Sequence, residues 1–346
     1  MTELELLQKS YGAIFSERIN SLRIASYGDP TQEYTAAKTS CALFHLTGWE
    51  TVKVAGKDAS SLLHRITMNE MRNMKPGEMI VNALPDAKGK VVDAFFQVLG
   101  QDDIELITGA GKGNVLLEWI DRFVFIEDVQ CQKADNDYDY FLLCGAAMPS
   151  LLANKAQKFL VSQVEMDGVP ITQSGVEGLL PEGVLLKAPR DKSHHVFRYL
   201  VESENCRPAG STAYQALRVE QGVPAHGSEI TNEVNPYEAG LSKYISYTKG
   251  CYTGQEVIAR LDTYDKIKFI YSRVRCRLKS GFEQTLPVAV FANGKEVGEL
   301  TSLCEIPGQA GEYQGIARIR RKILEGEAQL TIHSAKEPAP LSVIDR

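Results

Sequence analysis

The sequence has no run of about 18 apolar residues, no closely spaced cysteine pair and no excess of positive charge, and each absence closes off a class of protein. Without the apolar run, no membrane-spanning helix is expected. The seven cysteines (Cys41, Cys131, Cys144, Cys206, Cys251, Cys276 and Cys304) are odd in number and widely spaced, so neither a disulfide framework nor a zinc site is expected. A formal charge of −6 and a pI near 5.7 argue against a protein built to hold nucleic-acid phosphates. Met1-Thr-Glu-Leu-Glu-Leu-Leu is acidic where an export signal would be basic. The expectation is a cytoplasmic monomer that binds neither nucleic acid nor membrane.

Low-complexity tracts and short tandem repeats are also missing, whereas apolar residues are plentiful. With 346 residues, 44% of them hydrophobic, the chain can build two or three packed domains. From Thr51 the periodicity predicts strand (Thr51–Ala55), helix (Asp58 as N-cap, with Leu62, Leu63 and Ile66 inward), strands Met79–Leu84, Lys90–Leu99 and Ile104–Thr108, helix Asn114–Phe123, and strand Val129–Lys133. That order resembles a split βαβ unit with an added hairpin. A second α+β passage follows: strand Tyr138–Cys144, a helical run to about Leu160, strands near 168–186 and 195–201, and a helix over Thr212–Gln221. After Ile267, short strand-like runs (Phe269–Leu278, Pro287–Ala292, Glu296–Leu303, Tyr313–Ile319, Ala328–His333) alternate with turns and predict a small β-barrel.

One stretch carries chemistry: Lys249-Gly250-Cys251-Tyr252-Thr253-Gly254-Gln255-Glu256, leading into the helical Val257-Ile258-Ala259-Arg260-Leu261. Thr253 and Glu256 have capping-box spacing, which predicts a helix start at Thr253. Cys251 would then sit at the positive end of a helix beside Lys249, and both favour a reactive thiolate. The alternative is a buried cysteine acting as a small hydrophobe.

Lys249 to Glu256 resembles the signature octapeptide of the YgfZ-type folate-binding proteins, a branch of the glycine-cleavage T-protein family. Ser40-Cys41-Ala42-Leu43-Phe44-His45-Leu46, the turn Gly56-Lys57-Asp58-Ala59, and Leu217-Arg218-Val219-Glu220-Gln221-Gly222-Val223-Pro224 are similar to successive segments of that family. The resemblance runs from about residue 35 to the end. It implies an α+β protein of two ferredoxin-like lobes and a C-terminal barrel around a central folate-holding channel. The expected domains are 1–50 with 136–267 (lobe A), 51–135 (lobe B) and 268–346 (barrel).

The remaining candidates follow from periodicity and from the resemblance together. In a helix over 212–221, Glu220 shares a face with Ala213, Ala216 and Leu217, so its carboxylate needs donors. The resemblance makes that donor the pterin of tetrahydrofolate; a structural ion pair is the other reading. Asp86-Ala87-Lys88-Gly89-Lys90-Val91-Val92-Asp93 stands where T-proteins carry Gly-Gly-Ile-Leu-Asp-Asp. Val92 then replaces the first aspartate, only Asp93 remains, and a valine cannot move a proton. Trp49 aligns with a pocket-lining methionine and could stack on a pterin or fill a core. Arg260 is either a channel residue or a surface arginine. His45, His64 and His226 lack metal-ligand spacing, and His194-His195 is read as a strand start, so core or surface roles are expected. Arg273, Arg275, Arg277 and Lys279 form one face of a strand, either solvated or a docking strip for an acidic partner or folate tail. The function the resemblance implies is a tetrahydrofolate-binding accessory factor for iron–sulfur cluster assembly or repair, acting through Cys251 on client enzymes or assembly factors; the rival is a folate-dependent aminomethyltransferase.

Overall fold

The computed structural model describes residues 1–16, 22–134, 137–149, 152, 156–264, 266–278, 282, 284–326, 328–333 and 338–345. Among them, strands run in chain order as β1 (Ile14–Phe15), β2 (Ile24–Ser26), β3 (Ala42–His45), β4 (Glu50–Ala55), β5 (Met79–Pro85), β6 (Val91–Leu99), β7 (Asp103–Thr108), β8 (Gln130–Lys133), β9 (Tyr138–Cys144), β10 (Ser162–Met166), β11 (Val169–Val176), β12 (Gly183–Pro189) and β13 (Arg207–Ala209). The C-terminal part adds β14 (Phe269–Arg277), β15 (Val288–Ala292), β16 (Lys295–Glu305), β17 (Glu312–Arg320), β18 (Leu330–His333) and β19 (Pro338–Val343).

These strands make an α+β protein of three main sheets. The first has the order β10-β11-β12-β9-β3-β13 and is covered on both faces. Successive residues of β9 belong to different cores: Phe141 and Leu143 pack with Phe197 and Leu200 of helix Ser193–Glu202, while Leu142 packs with Ala213 and Leu217 of helix Ser211–Glu220. Burial on both faces is why Tyr138–Cys144 reads as one apolar run. The second sheet, β5-β6-β7-β4-β8, buries Val52, Phe95 and Leu106 against helices Ala59–Ile66 and Gly113–Asp121. Its opposite face, with Val81, Phe96 and Ile107, joins the core of the first sheet, so the two lobes share one hydrophobic interior. The third, β14-β17-β16-β15-β18-β19, closes into a barrel and removes its own exposed edges. No helix among the described residues is long and apolar enough to cross a membrane.

Two sequence expectations are corrected. The strand expected over 195–201 is the helix Ser193–Glu202, so His194 and His195 lie in its first turn. Its buried residues Ser193, Val196, Phe197 and Leu200 recur at i, i+3, i+4 and i+7, a helical spacing. The barrel also has a sixth strand, β19, that its prolines concealed. Pro338 and Pro340 point outward while Ala339 and Leu341 point in, and β14 pairs with β19 only at Ser342 and Val343, so the two prolines sit where the missing N–H is not needed. Of the helical run expected before Leu160, residues 150, 151 and 153–155 lie outside the described residues, as does Lys279.

The barrel is fastened to helix Ser211–Glu220 by a buried ion pair. Arg218 donates to Glu229 Oε2 (3.3 Å), to the Val223 carbonyl (3.1 Å) and to Ser302 Oγ (2.7 Å). Glu229 in turn accepts from the Thr301 and Ser302 hydroxyls (2.6 Å each) and from the Ala225 amide (2.9 Å). Removing one partner of such a pair strands a buried charge. Arg218→Met is therefore expected to cost about 3–5 kcal/mol in urea unfolding, with part of the loss recovered in Arg218→Met/Glu229→Gln.

Candidate functional site

The loop bearing Cys251 lies across the C-terminal end of helix Ala59–Ile66, where carbonyls lack helical partners. Thr253 N donates to Arg65 O (3.0 Å), and Ser246 N to Met68 O (3.0 Å). The Lys249 ammonium turns inward and donates to the carbonyls of Thr67 (2.7 Å) and Asn69 (2.8 Å). A cation at a helix C-terminus is favourably placed. Burial pushes the Lys249 amine down to about 8; nearby Arg72 acts in the same direction and Glu70 opposes it. With Lys249 anchoring the loop from beneath, Cys251 is left exposed, whereas the other six cysteines are buried or half-buried.

The expected capping box does not form. Gly254, at φ +76°, is the N-cap of the following helix, Gln255–Thr263, with no side-chain cap. A Cβ on Gly254 would lie 2.2 Å from the Asp86 carbonyl oxygen, so the loop meets the β5–β6 turn backbone to backbone. That shifts the helix start past Thr253 and makes Glu256 its second residue, where it pairs with Arg260 one turn on. Ile258 is the buried residue of this helix; Arg260 is on its solvent side, a surface arginine rather than a channel residue.

The β5–β6 hairpin carries the second group of residues. Asp86 Oδ1 accepts from the Lys88 and Lys90 amides (2.8 Å each) and so shapes the turn. Pro85 pairs with Val91 and Leu84 with Asp93, leaving Val92 as the extra residue of a bulge. Val92 packs half-buried on the helix-covered core. Asp93 is fully buried: Oδ2 accepts from Thr108 (2.7 Å), while Oδ1 has no hydrogen-bond partner. His226 Nε2 is 3.2 Å from Oδ1, but it bonds the Ala94 carbonyl at 2.8 Å, which places the ring proton on that nitrogen. Trp49 is buried, stacked near Phe96 (centroids 6.2 Å apart, planes at 28°) and edge-on to His226 (6.4 Å). His226 thus joins Trp49 and Asp93, which its sequence spacing did not indicate. The ring has room because residue 109 is glycine: a Cβ there would sit 2.5 Å from His226 Nδ1.

Glu220 is elsewhere. Its carboxylate accepts from Tyr34 Oη (2.6 Å) and Lys38 Nζ (2.7 Å), and its backbone carbonyl accepts from Arg273. Burial pushes its acidity toward neutral, but the Lys38 and Tyr34 donors and the Arg275 charge outweigh that and hold the carboxyl below its ordinary value. The chain itself therefore supplies donors of the kind expected from a pterin. Glu220 lines a cavity of about 660 Å³ with Lys38, Lys158, Glu182 and Gln221; neither Trp49, Asp93 nor Cys251 lines it. On β14 Val274 and Cys276 are buried, as is Leu278 just after it, while Arg273 pairs with Asp345 (2.8 Å) and Arg277 with Glu312 (3.3 Å), so the basic strip is partly neutralised.

The depressed Lys249 sets a pH dependence. Between about 8 and the ordinary lysine value of 10.5, the unfolded chain holds a proton that folded Lys249 has released, so this group makes stability rise with pH there. Urea midpoints at pH 7 and pH 10 are expected to show wild type gaining relative to Lys249→Met as pH rises.

The GCVT N-terminal domain family matches residues 6–249. A chloroplast protein of Arabidopsis thaliana that carries a provisional transferase name is 27% identical over 308 residues, covering 86% of this chain and 70% of the relative. The crystal structure of the glycine cleavage system aminomethyltransferase T from Bartonella henselae superposes with a TM-score of 0.84 at 17% identity, covering 98% of this chain and 95% of that one. The fold is therefore that of the aminomethyltransferase, and the chain belongs to the GCVT N-terminal domain family.

Proposed function

We propose that this chain is a tetrahydrofolate-binding protein of the YgfZ type that serves iron–sulfur cluster assembly or repair in the cytoplasm, with Cys251 as its reactive group. The observation that carries the reading is the placing of the cysteines. Cys251 alone among the seven is exposed, on a loop held by backbone and ammonium hydrogen bonds. A thiol so presented is open to a macromolecular client. One thiol cannot by itself hold a cluster, so the cluster is the client's and passes as substrate.

The buried polar chemistry near Trp49 fits a folate. Asp93 Oδ1 is an orphaned buried acceptor, and such an atom costs free energy until a donor reaches it. A reduced pterin brings N–H donors and a flat ring, matching Asp93 and the Trp49 indole. Tetrahydrofolate, when bound, carries one-carbon units on a pterin ring nitrogen and the neighbouring aminobenzoate nitrogen. Asp93 would orient that ring, His226 would hold Ala94 and the edge of Trp49 in place, and Glu220 would take a donor only by sharing it with Lys38 and Tyr34. Val92, apolar and turned to the helix-side core, supplies no proton-moving group, which disfavours aminomethyl transfer.

In a Trp119→Phe background, tetrahydrofolate is expected to quench Trp49 emission saturably, and Asp93→Asn to weaken binding by roughly tenfold or more, as loss of a charged hydrogen bond does. Absence of saturable quenching would end the folate reading. In cells lacking their own YgfZ-type protein, wild type is expected to restore iron–sulfur enzyme activity and Cys251→Ala to fail; full rescue by the alanine variant would remove the thiol from the proposal.

A further inference from the structure

Near Gly250, the residue before Cys251, lies a buried imidazole that makes no hydrogen bond. His64, on helix Ala59–Ile66, has a side chain only 2% exposed, and neither ring nitrogen has a hydrogen-bond partner. Its Nε2 faces Gly250: a Cβ on that glycine would be 4.0 Å from His64 Nε2 and 3.7 Å from the Arg72 guanidinium. That guanidinium has no carboxylate partner among the described residues. The amides of Gly250, Cys251 and Tyr252 likewise meet no acceptor among them. Among the described residues Glu70 supplies the opposing charge, 3.5 Å from His64 Nδ1, and its carboxylate already accepts from the Met71 (2.9 Å) and Arg72 (2.8 Å) amides.

With Lys249 beneath, the two cations outnumber this carboxylate even when His64 is neutral. A guanidinium and an orphaned ring nitrogen that both face Gly250, on a loop whose amides meet no acceptor among the described residues, are the makings of an anion site. A tautomer with its proton on Nε2 aims a donor at the same point. We propose that Gly250, Arg72 and His64 form an oxyanion-binding site next to Cys251, which receives a carboxylate or phosphate group of the molecule that the thiol meets. Gly250 and Arg72 are exposed and only His64 is buried, so the site borders solvent, in contrast to Asp93 and Trp49. It deepens the reactive-cysteine reading and rests on it, but not on folate binding.

Alkylation of the full-length protein, followed at the Cys251 peptide by mass spectrometry, tests it. Anionic iodoacetate and neutral iodoacetamide differ by one charge at the site in question. The ratio of their rates at Cys251 is expected to exceed that of the urea-unfolded chain at least ~tenfold, the lower end of what a focused charge does to an encounter rate. It should fall toward the unfolded ratio in Arg72→Gln, whose exposed side chain carries no fold-holding contact, and in His64→Gln. Salt should lower it too. Inorganic phosphate and acetate, added separately, should each be tried as competitors; slowing by one identifies the preferred oxyanion and supports the site. A ratio equal to that of the unfolded chain, with no competition by either anion, overturns the site while leaving the reactive thiol in place. A Cys251 that neither reagent modifies overturns both.

Discussion

The buried Arg218–Glu229 pair decides how the three parts of this protein meet. Arg218 belongs to the helix covering the first sheet, Glu229 to the segment that follows it, and Ser302 and Thr301 to the barrel; each polar atom of the pair is met by another group. Burial of two charges is tolerated only with that degree of satisfaction. Its consequence reaches the candidate site, because Arg218 also bonds Val223 O and Glu229 bonds Ala225 N, fixing the residues on either side of Pro224 and bringing His226 up to Ala94, Asp93 and Trp49. The electrostatic joint between helix and barrel is thus also the positioning device for His226 beside Asp93 and Trp49.

A second joint works by the opposite logic. Lys249 is single and buried, and no carboxylate among the described residues pairs with it; carbonyl dipoles at the end of helix Ala59–Ile66 meet its charge. This arrangement is softer than an ion pair, as the depressed lysine shows. It also explains why the residue expected to activate Cys251 faces inward: once the loop must cross a helix C-terminus, the nearest cation is drawn to the unpaired carbonyls there. Its charge still contributes to the field around His64, but as part of the foundation.

Much of the architecture was legible because periodicity reports burial directly. Leu62, Leu63 and Ile66 mark a helix face, and the runs in β5, β6 and β9 mark strands with both faces covered. What escaped were features set by tertiary neighbours. The capping box at Thr253 satisfied every local rule, yet the Asp86 carbonyl needs the space next in line, and only Gly254 at positive φ provides it. Likewise Asp93 was readable as a lone carboxylate, but the bulge at Val92, which keeps it buried beside Thr108, depends on a pairing register that spacing does not show. His226 was hidden for the same reason: Ala94, whose carbonyl it bonds, is 132 residues away in sequence. Glu220 was legible as a carboxylate needing donors and not as one already supplied, since Tyr34 and Lys38 come from a distant helix.

The β5–β6 hairpin is the physical link between the buried and the exposed chemistry. One end of β6 holds Asp93 in the interior; a few residues earlier, the Asp86–Gly89 turn abuts the helix that follows Cys251. The contact has no slack: the Gly254 backbone meets Asp86 O, and a Cβ at Gly89 would approach Val257 and Ile258 to 3.2 Å. Side chains at such a junction could rotate to absorb a displacement, whereas backbone against backbone cannot. Asp93 and the Cys251 loop therefore stand at the two ends of one stiff element, and the glycines at 89 and 254 are the price of that stiffness.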